Sequence, residues 1–216
     1  MNNKVVIIIN GSGGVGKDTL CKVASKNFGC LNISSVDEVK GIANLFADWD
    51  SSKKESKDRK FLSDLKNLFT EYCDRPFTYM MKRVEEFKKN TSKQILFIHS
   101  REIMEVNRLK AAIFNKFNIP CFSLVVIQSN TNPVKWGNSS DDDIDAKDYD
   151  IVFDNLKINY SAWGSSSIAV ENIKELSIYE RIEERFIPVL TLILKEAEIY
   201  YEKLNSRTTE GIEGNS

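Results

Sequence analysis

The sequence predicts an α/β fold of three layers, and two observations along its 216 residues carry that reading. Three runs, Lys4–Ile9, Gln94–Ile98 and Phe122–Ile127, are built almost wholly of aliphatic and aromatic residues. Such runs suit strands buried on both faces of a parallel sheet. Between them lie segments whose apolar residues recur at helical spacing. Strands that alternate with helices give a sheet covered on both sides. Right-handed crossovers then bring the site to the carboxyl ends of the strands.

The first strand runs into Asn10-Gly-Ser-Gly-Gly-Val-Gly-Lys-Asp-Thr19. Gly11 and Gly16-Lys17 stand at the spacing of a phosphate-binding loop, and a helical pattern (Leu20, Val23, Ala24, Phe28) follows. Glycines let backbone N–H groups turn inward onto phosphate oxygens, and the helix N-terminus adds partial positive charge. The candidate nucleotide-binding residues are therefore Gly11, Ser12, Gly13, Gly14, Val15, Gly16, Lys17, Asp18 and Thr19, with Lys17 reaching the terminal phosphates. Asp18 occupies the place where Ser or Thr usually ligates Mg²⁺. A carboxylate is a good hard ligand, yet an acidic residue is also favoured in a helix's first turn. Both readings of Asp18 stay open.

The first helix should run to about Asn27, with Gly29 as its stop signal. Cys30–Ser34 reads as a second strand, and Ser35-Val-Asp37 starts a helix through Phe46. A charged connection from Asp50 to Arg59 precedes an amphipathic helix marked by Phe61, Leu65, Phe69 and Tyr72. Asp74 is the expected N-cap of the next helix, with Pro76 in its first turn and a stripe from Phe77 to Phe87. So much helix between two strands exceeds a simple crossover. The third strand ends in His99-Ser100-Arg101-Glu102; a helix with Ile103, Val106, Leu109, Ile113 and Phe117 follows, then the fourth strand. Residues 128–148 are polar and unpatterned, a predicted mobile loop, and Tyr149–Phe153 is a fifth strand. Asn155–Ser167 is turn-rich. A helical pattern then runs from about Ile168 to Leu204, which Pro188 should kink or split, and Asn205–Ser216 should fray.

Composition narrows the function classes. Hydrophobic residues make up 42% and charged residues 28%, and 30 basic against 31 acidic side chains leave a net charge of −1. That balance argues against holding nucleic acid by bulk electrostatics. Four cysteines without a C-x-x-C pair, and one histidine, do not build a zinc site. The amino terminus is too short in apolar residues for a signal-peptide core, and no apolar run reaches the ~20 residues of a membrane span. The expectation is a cytoplasmic protein with no stable nucleic-acid partner and no membrane contact.

Taken together, these features resemble the nucleoside monophosphate kinase branch of P-loop proteins, and especially the deoxynucleoside monophosphate kinase-like members that carry Gly-Lys-Asp-Thr in the loop. The resemblance covers residues 4–154, and only the loop is a specific motif. It implies a three-layer P-loop fold with a five-stranded parallel sheet in the order 2-3-1-4-5. It further implies a core of residues 1–154, with a helical insertion (36–90) that holds an acceptor nucleotide and a lid (128–148). A C-terminal helical extension (155–206) and a flexible tail (207–216) complete the expected division. The activity implied is transfer of the γ-phosphoryl of ATP, with Mg²⁺, to a nucleoside monophosphate, most naturally a deoxynucleotide. By the same resemblance Asp37 and Lys40 fall at the start of the acceptor-binding segment. Arg101 falls where an arginine reaches acceptor phosphate and joins Lys17 as a catalytic candidate.

Two departures stand out. His99-Ser100 replaces the aspartate that ends a Walker B strand, and no arginine lies between Arg108 and Arg181. The lid cations are Lys135 and Lys147, facing six aspartates, and Lys135 lies farther from the acidic run. Other readings are a kinase of another small molecule or modified nucleotide, or a nucleotide-binding regulatory protein with weak turnover. The C-terminal helix could dock on the core or pair with a second copy as a homodimer. His99 is better read as a packed, hydrogen-bonded residue than as a proton carrier, since phosphoryl transfer to phosphate needs no base.

Overall fold

The computed structural model describes residues 3–47, 49–50, 56–129, 144–155 and 178–213. Five strands, β1 (Val5–Asn10), β2 (Cys30–Ser34), β3 (Ile95–His99), β4 (Cys121–Ile127) and β5 (Ile151–Asp154), form one sheet. All pairings are parallel and the order is β2-β3-β1-β4-β5, as the resemblance implied. Six helices accompany them: α1 (Lys17–Asn27), α2 (Asp37–Ala47), α3 (Ser56–Cys73), α4 (Arg75–Lys89), α5 (Ile103–Phe117) and α6 (Ile178–Glu213). A short 3₁₀ turn, Ala146–Asp148, leads into β5.

Strand alternation divides the core in two. Val5, Ile7, Ile9, Phe97, Leu124 and Val126 face α1 and α6, where Leu20, Val23, Phe186 and Leu190 pack on them. Val6, Ile8, Leu96, Ile98 and Val125 face α4 and α5, against Met80, Phe87, Val106 and Leu109. Every residue of β1 is buried, which is why it carries no polar side chain before Asn10. The three layers predicted from the apolar runs are thus two helical layers and a sheet.

Some local expectations are corrected. Asp74 is not a side-chain N-cap: it sits in the left-handed region at φ 50, makes no capping bond, and accepts both guanidinium nitrogens of Arg108. Gly29 is not a left-handed stop signal. A Cβ there would lie 2.3 Å from the Ser92 carbonyl oxygen, while the Gly29 carbonyl accepts from Gln94 and Ile95 at 2.7 and 3.1 Å. Close approach of two chain segments is what requires glycine. Pro188 does not split the last helix, and α6 continues past the expected fray point to Glu213. Its buried stripe, Ile182, Phe186, Leu190, Ile193 and Ala197, anchors it on the sheet side of α1 across the proline. The helix therefore continues through Pro188 although that residue offers no N–H. The expected turns at 156–167 and the helical stretch 168–177 lie outside the described residues. No helix among the described residues is long and apolar enough to cross a membrane.

Lys4 closes the opposite, amino-terminal edge. Its ammonium donates to the carbonyls of Phe87 (2.8 Å), Lys93 (2.9 Å) and Asn90, satisfying the C-terminus of α4, and it lies over the Phe87 ring. Burial lowers its pKa from the ordinary lysine value.

Candidate functional site

The carboxyl edge of the sheet gathers the chemistry-bearing residues. β1 leaves the sheet at Asn10, and the chain turns through Gly11 (φ 143), Gly14 (φ 85) and Gly16 (φ 97) before α1 begins at Lys17. A Cβ on Gly11 would lie 2.4 Å from the Val126 carbonyl oxygen; one on Gly16 would lie 2.6 Å from Asn155 Nδ2. Positive φ and steric contact together restrict both positions to glycine. Gly14 differs, with open space around its missing Cβ and an exposed position at the crest. Val15 is buried and pins the middle of the loop to the core.

Long-range bonds hold this turn. The Asn10 carboxamide oxygen accepts the Gly11 N–H at 2.7 Å, and its nitrogen donates to the Arg101 carbonyl (2.7 Å) and to the Tyr149 hydroxyl (2.5 Å). Asn155, just beyond β5, donates to the Val15 carbonyl at 2.8 Å, while its own N–H donates to the Ile127 carbonyl at 2.8 Å. Sequence reasoning missed Asn10, Tyr149 and Asn155 as loop supports. Their partners lie up to 140 residues away, so only pairing of the strand ends reveals them.

The Lys17 ammonium folds over the loop, donating to the carbonyls of Gly11 and, at 2.9 Å, Ser12. Asp18 is exposed in the first turn of α1. No group of three or more His, Cys, Asp or Glu side chains that could hold a metal occurs among the described residues.

Asp37 and Lys40 are brought together in α2, 3.6 Å apart. One Asp37 oxygen accepts the Ser34 N–H at 2.7 Å, while the Ser34 hydroxyl lies 3.4 Å from the Val36 N–H. These bonds tie the end of β2 to the start of α2. Arg101 is exposed immediately after β3, its carbonyl tied to Asn10 beside the loop. Lys135 lies outside the described residues. The acidic run is not wholly solvated: Asp150 accepts from Ser123 N–H (2.7 Å), Ser123 Oγ (2.9 Å) and Lys110 (2.5 Å), tying β4 to the chain entering β5.

His99 lies on the α1 side of the sheet. Its Nε2 is 2.8 Å from Asn32 Oδ1 and 3.7 Å from Cys21 Sγ. Burial lowers its pKa to about 4, so the ring is neutral near pH 7 and serves packing and hydrogen bonding. Burial likewise pushes the Cys21 thiol upward, with Asp18 adding to the effect.

A second concavity, about 250 Å³, opens between the ends of β2 and β3 and the helices α3, α4 and α5. Ser35, Phe77 and Met80 line it, with Lys66, Asp74, Glu102 and Glu105 supplying its charges. Lys66 donates to both Glu102 oxygens at 2.8 and 3.0 Å. Burial alone would raise the Glu102 pKa, but that lysine outweighs it and the net direction is down. Arg108 serves Asp74 and lies 3.6 Å from Glu105, whose pKa is raised by burial despite that arginine. Lys66, the cation that lines this pocket, is thus already engaged by one of its carboxylates.

No protein-family model and no curated protein matches the chain. Among solved structures it is similar to a protein from Chloroflexus aurantiacus J-10-fl described as a "putative kinase", with 14% identity and a TM-score of 0.36 over 59% of this chain. The match spans 62% of that protein's length, and a likeness this distant carries no argument about activity. What the chain itself presents is a parallel three-layer α/β fold with a glycine loop at the carboxyl edge of its central strand.

Proposed function

We propose that the protein is an ATP-dependent phosphotransferase that moves the γ-phosphoryl group to a small acceptor held between the core and the helices α3 and α4. The observation that carries this reading is the turn Gly11–Lys17: three positive-φ glycines, an open crest at Gly14 and a lysine at the helix start, all at the carboxyl edge of a central parallel strand. Backbone N–H groups at such a turn, with the N-terminus of α1, favour phosphate oxygens. Lys17 would exchange its two loop carbonyls for the terminal phosphates and neutralise charge that develops there.

ATP and Mg²⁺ are the group this site fits. The loop residues 11–19 would hold the phosphates, and Asp18 would stand on the metal side. Mg²⁺ supplies charge neutralisation between the phosphates when bound. Arg101, after β3, would reach the acceptor, and Asp37 and Lys40 would flank it. Lys135 would close the lid 128–148. The resemblance supplies a nucleoside monophosphate, and more narrowly a deoxynucleotide, as acceptor. The carboxylates of the pocket instead favour an acceptor with less negative charge, which keeps a kinase of another small molecule as the second reading. A soluble protein of the cytoplasm, with α6 docked on its own core, fits these proposals, as does a homodimer through the outer face of that helix.

The test is ADP release with Mg-ATP across the common nucleoside and deoxynucleoside monophosphates, with their unphosphorylated nucleosides alongside. Acceptor-dependent release that Lys17→Ala reduces by orders of magnitude, with the circular dichroism unchanged, supports the reading. Release that no acceptor stimulates points to a nucleotide-binding regulator, and full activity in Lys17→Ala removes the loop from the chemistry.

A further inference from the structure

The pocket between the sheet edge and the helices α3, α4 and α5 holds a charge that its own cations leave unmatched. Three carboxylates line it, those of Asp74, Glu102 and Glu105. Lys66 donates to both oxygens of Glu102, and Arg108 donates to both oxygens of Asp74. Glu105 shares that same arginine, but 3.6 Å separates Oε2 from Arg108 Nη1, longer than a good hydrogen bond. Three negative charges thus meet two positive ones, and the excess falls on Glu105, whose side chain is only 20% exposed. Burial raises its pKa although Arg108 and Lys66 act against that, while Arg101 acts on Glu102.

Where the pocket meets the sheet, polar groups again lack partners. Ser35 lines the pocket and is 5% exposed. Its N–H donates to the His99 carbonyl at 3.2 Å, but its hydroxyl has no hydrogen-bond partner among the described residues. β2 pairs Ser34 with His99, so Ser35 and Ser100 stand side by side on the α4–α5 face. Ser100 is 1% exposed, and its Oγ is unpartnered among the described residues as well. A buried hydroxyl without a partner is costly. Ser35 in the pocket wall therefore points, independently of the carboxylates, to polar groups that a ligand brings.

Size and lining narrow that ligand. The volume of about 250 Å³ lies below the roughly 300–1,000 Å³ of ordinary small-molecule pockets, which suits a molecule of one ring. Pro76, Phe77 and Met80 give it an apolar wall.

We propose that this pocket binds a cationic acceptor, a one-ring compound whose protonated amine pairs with Glu105 and whose hydroxyl has Ser35 within the same cavity. The inference rests on the phosphotransferase reading and names a class of acceptor other than a nucleoside monophosphate. An ammonium group brings the charge that the pocket lacks, whereas a phosphate would set further negative charge beside a carboxylate already short of a counter-ion. In the transfer, the acceptor's hydroxyl oxygen bonds to the γ-phosphorus of ATP, the bond from that phosphorus to the β–γ bridging oxygen breaks, ADP leaves, and the hydroxyl proton passes to water.

The test titrates the full chain by calorimetry near neutral pH with probes of one shape and different charge: tyramine, its neutral alcohol analogue 4-(2-hydroxyethyl)phenol, and the anion 4-hydroxyphenylacetate. Tyramine is expected to bind about tenfold more tightly than the alcohol, with the anion weakest. Glu105→Gln should cost tyramine about tenfold in affinity, the size of one hydrogen bond to a charged group, and should improve binding of the anion. Glu105→Asp should keep most of the preference for the amine. A pocket that binds the anion best, binds none of the probes, or holds tyramine equally well in Glu105→Gln overturns the proposal. Titration with Mg-ADP separates the two readings. Tyramine bound and Mg-ADP refused supports the amine site and removes the kinase reading, whereas Mg-ADP bound and tyramine refused overturns the amine site and leaves the kinase reading standing.

Discussion

Protonation of His99 should set a slope in the stability–pH curve, and its size follows from the burial of the ring. The folded-state pKa lies near 4, lowered by burial, with Lys17 and Lys40 acting in the same direction and Asp18 and Asp37 against it. In the unfolded chain the value returns to about 6.5. Between these values the unfolded state binds a proton that the folded state refuses, so stability rises with pH. The contribution is full above about pH 6.5 and is lost as pH falls toward 4. Linkage over that window gives about 2 kcal/mol between pH 7 and pH 4.5. Urea midpoints of wild type and His99→Gln at those two pH values isolate the effect, because carboxylates titrate in both proteins. Glutamine keeps an amide to meet Asn32 but cannot take the proton. The wild type should lose about 2 kcal/mol more than the variant on acidification. Parallel curves would refute the argument, and would mean that water reaches the ring despite its packing against Cys21.

Three further outcomes follow from the site. Asn155→Ala removes the bond to the Val15 carbonyl and should cost about 1 kcal/mol in urea, with several-fold weaker ADP binding by calorimetry; unchanged binding would make Asn155 a strand-end support only. At pH 8 a thiol reagent should label Cys73 rapidly in the native protein and the other cysteines only in denaturant, because Cys73 is exposed whereas burial pushes Cys30 to about 11 and Cys121 to about 12; mass spectrometry counts the labels, and fast labelling of Cys121 would contradict its packing. Glu105→Gln takes one negative charge from a pocket it shares with Asp74 and Glu102, which at an effective dielectric near 20 is worth on the order of 1–3 kcal/mol to an anion there. The KM for a nucleoside monophosphate should fall about tenfold with kcat little changed; a KM that does not move would place the acceptor elsewhere.

How far the sequence could be read depended on the range of the interactions involved. The loop was legible because its requirements are local: each positive-φ glycine is its own signal, and β1 and α1 announce themselves by period within a few residues of it. The layers were legible for the same reason, since every residue of β1 is buried and only apolar residues stand there before Asn10. Sheet order came only through resemblance, as nothing local tells β3 to lie between β2 and β1. The misreadings share one cause. Asp74 has the composition of an N-cap, but Arg108 from another helix competes for its carboxylate and wins with two charge-assisted bonds. Asp150 belongs by composition to an acidic loop, yet Ser123 and Lys110 claim it. Pro188 should end a helix taken alone, and the buried stripe of α6 on both sides of it keeps the chain helical. In each case a tertiary partner outbid a local preference worth about 1–3 kcal/mol. Ser100 is a like case: its burial in one row with Ser35 and Asn10 follows from strand register, which is a property of the sheet rather than of any stretch of sequence.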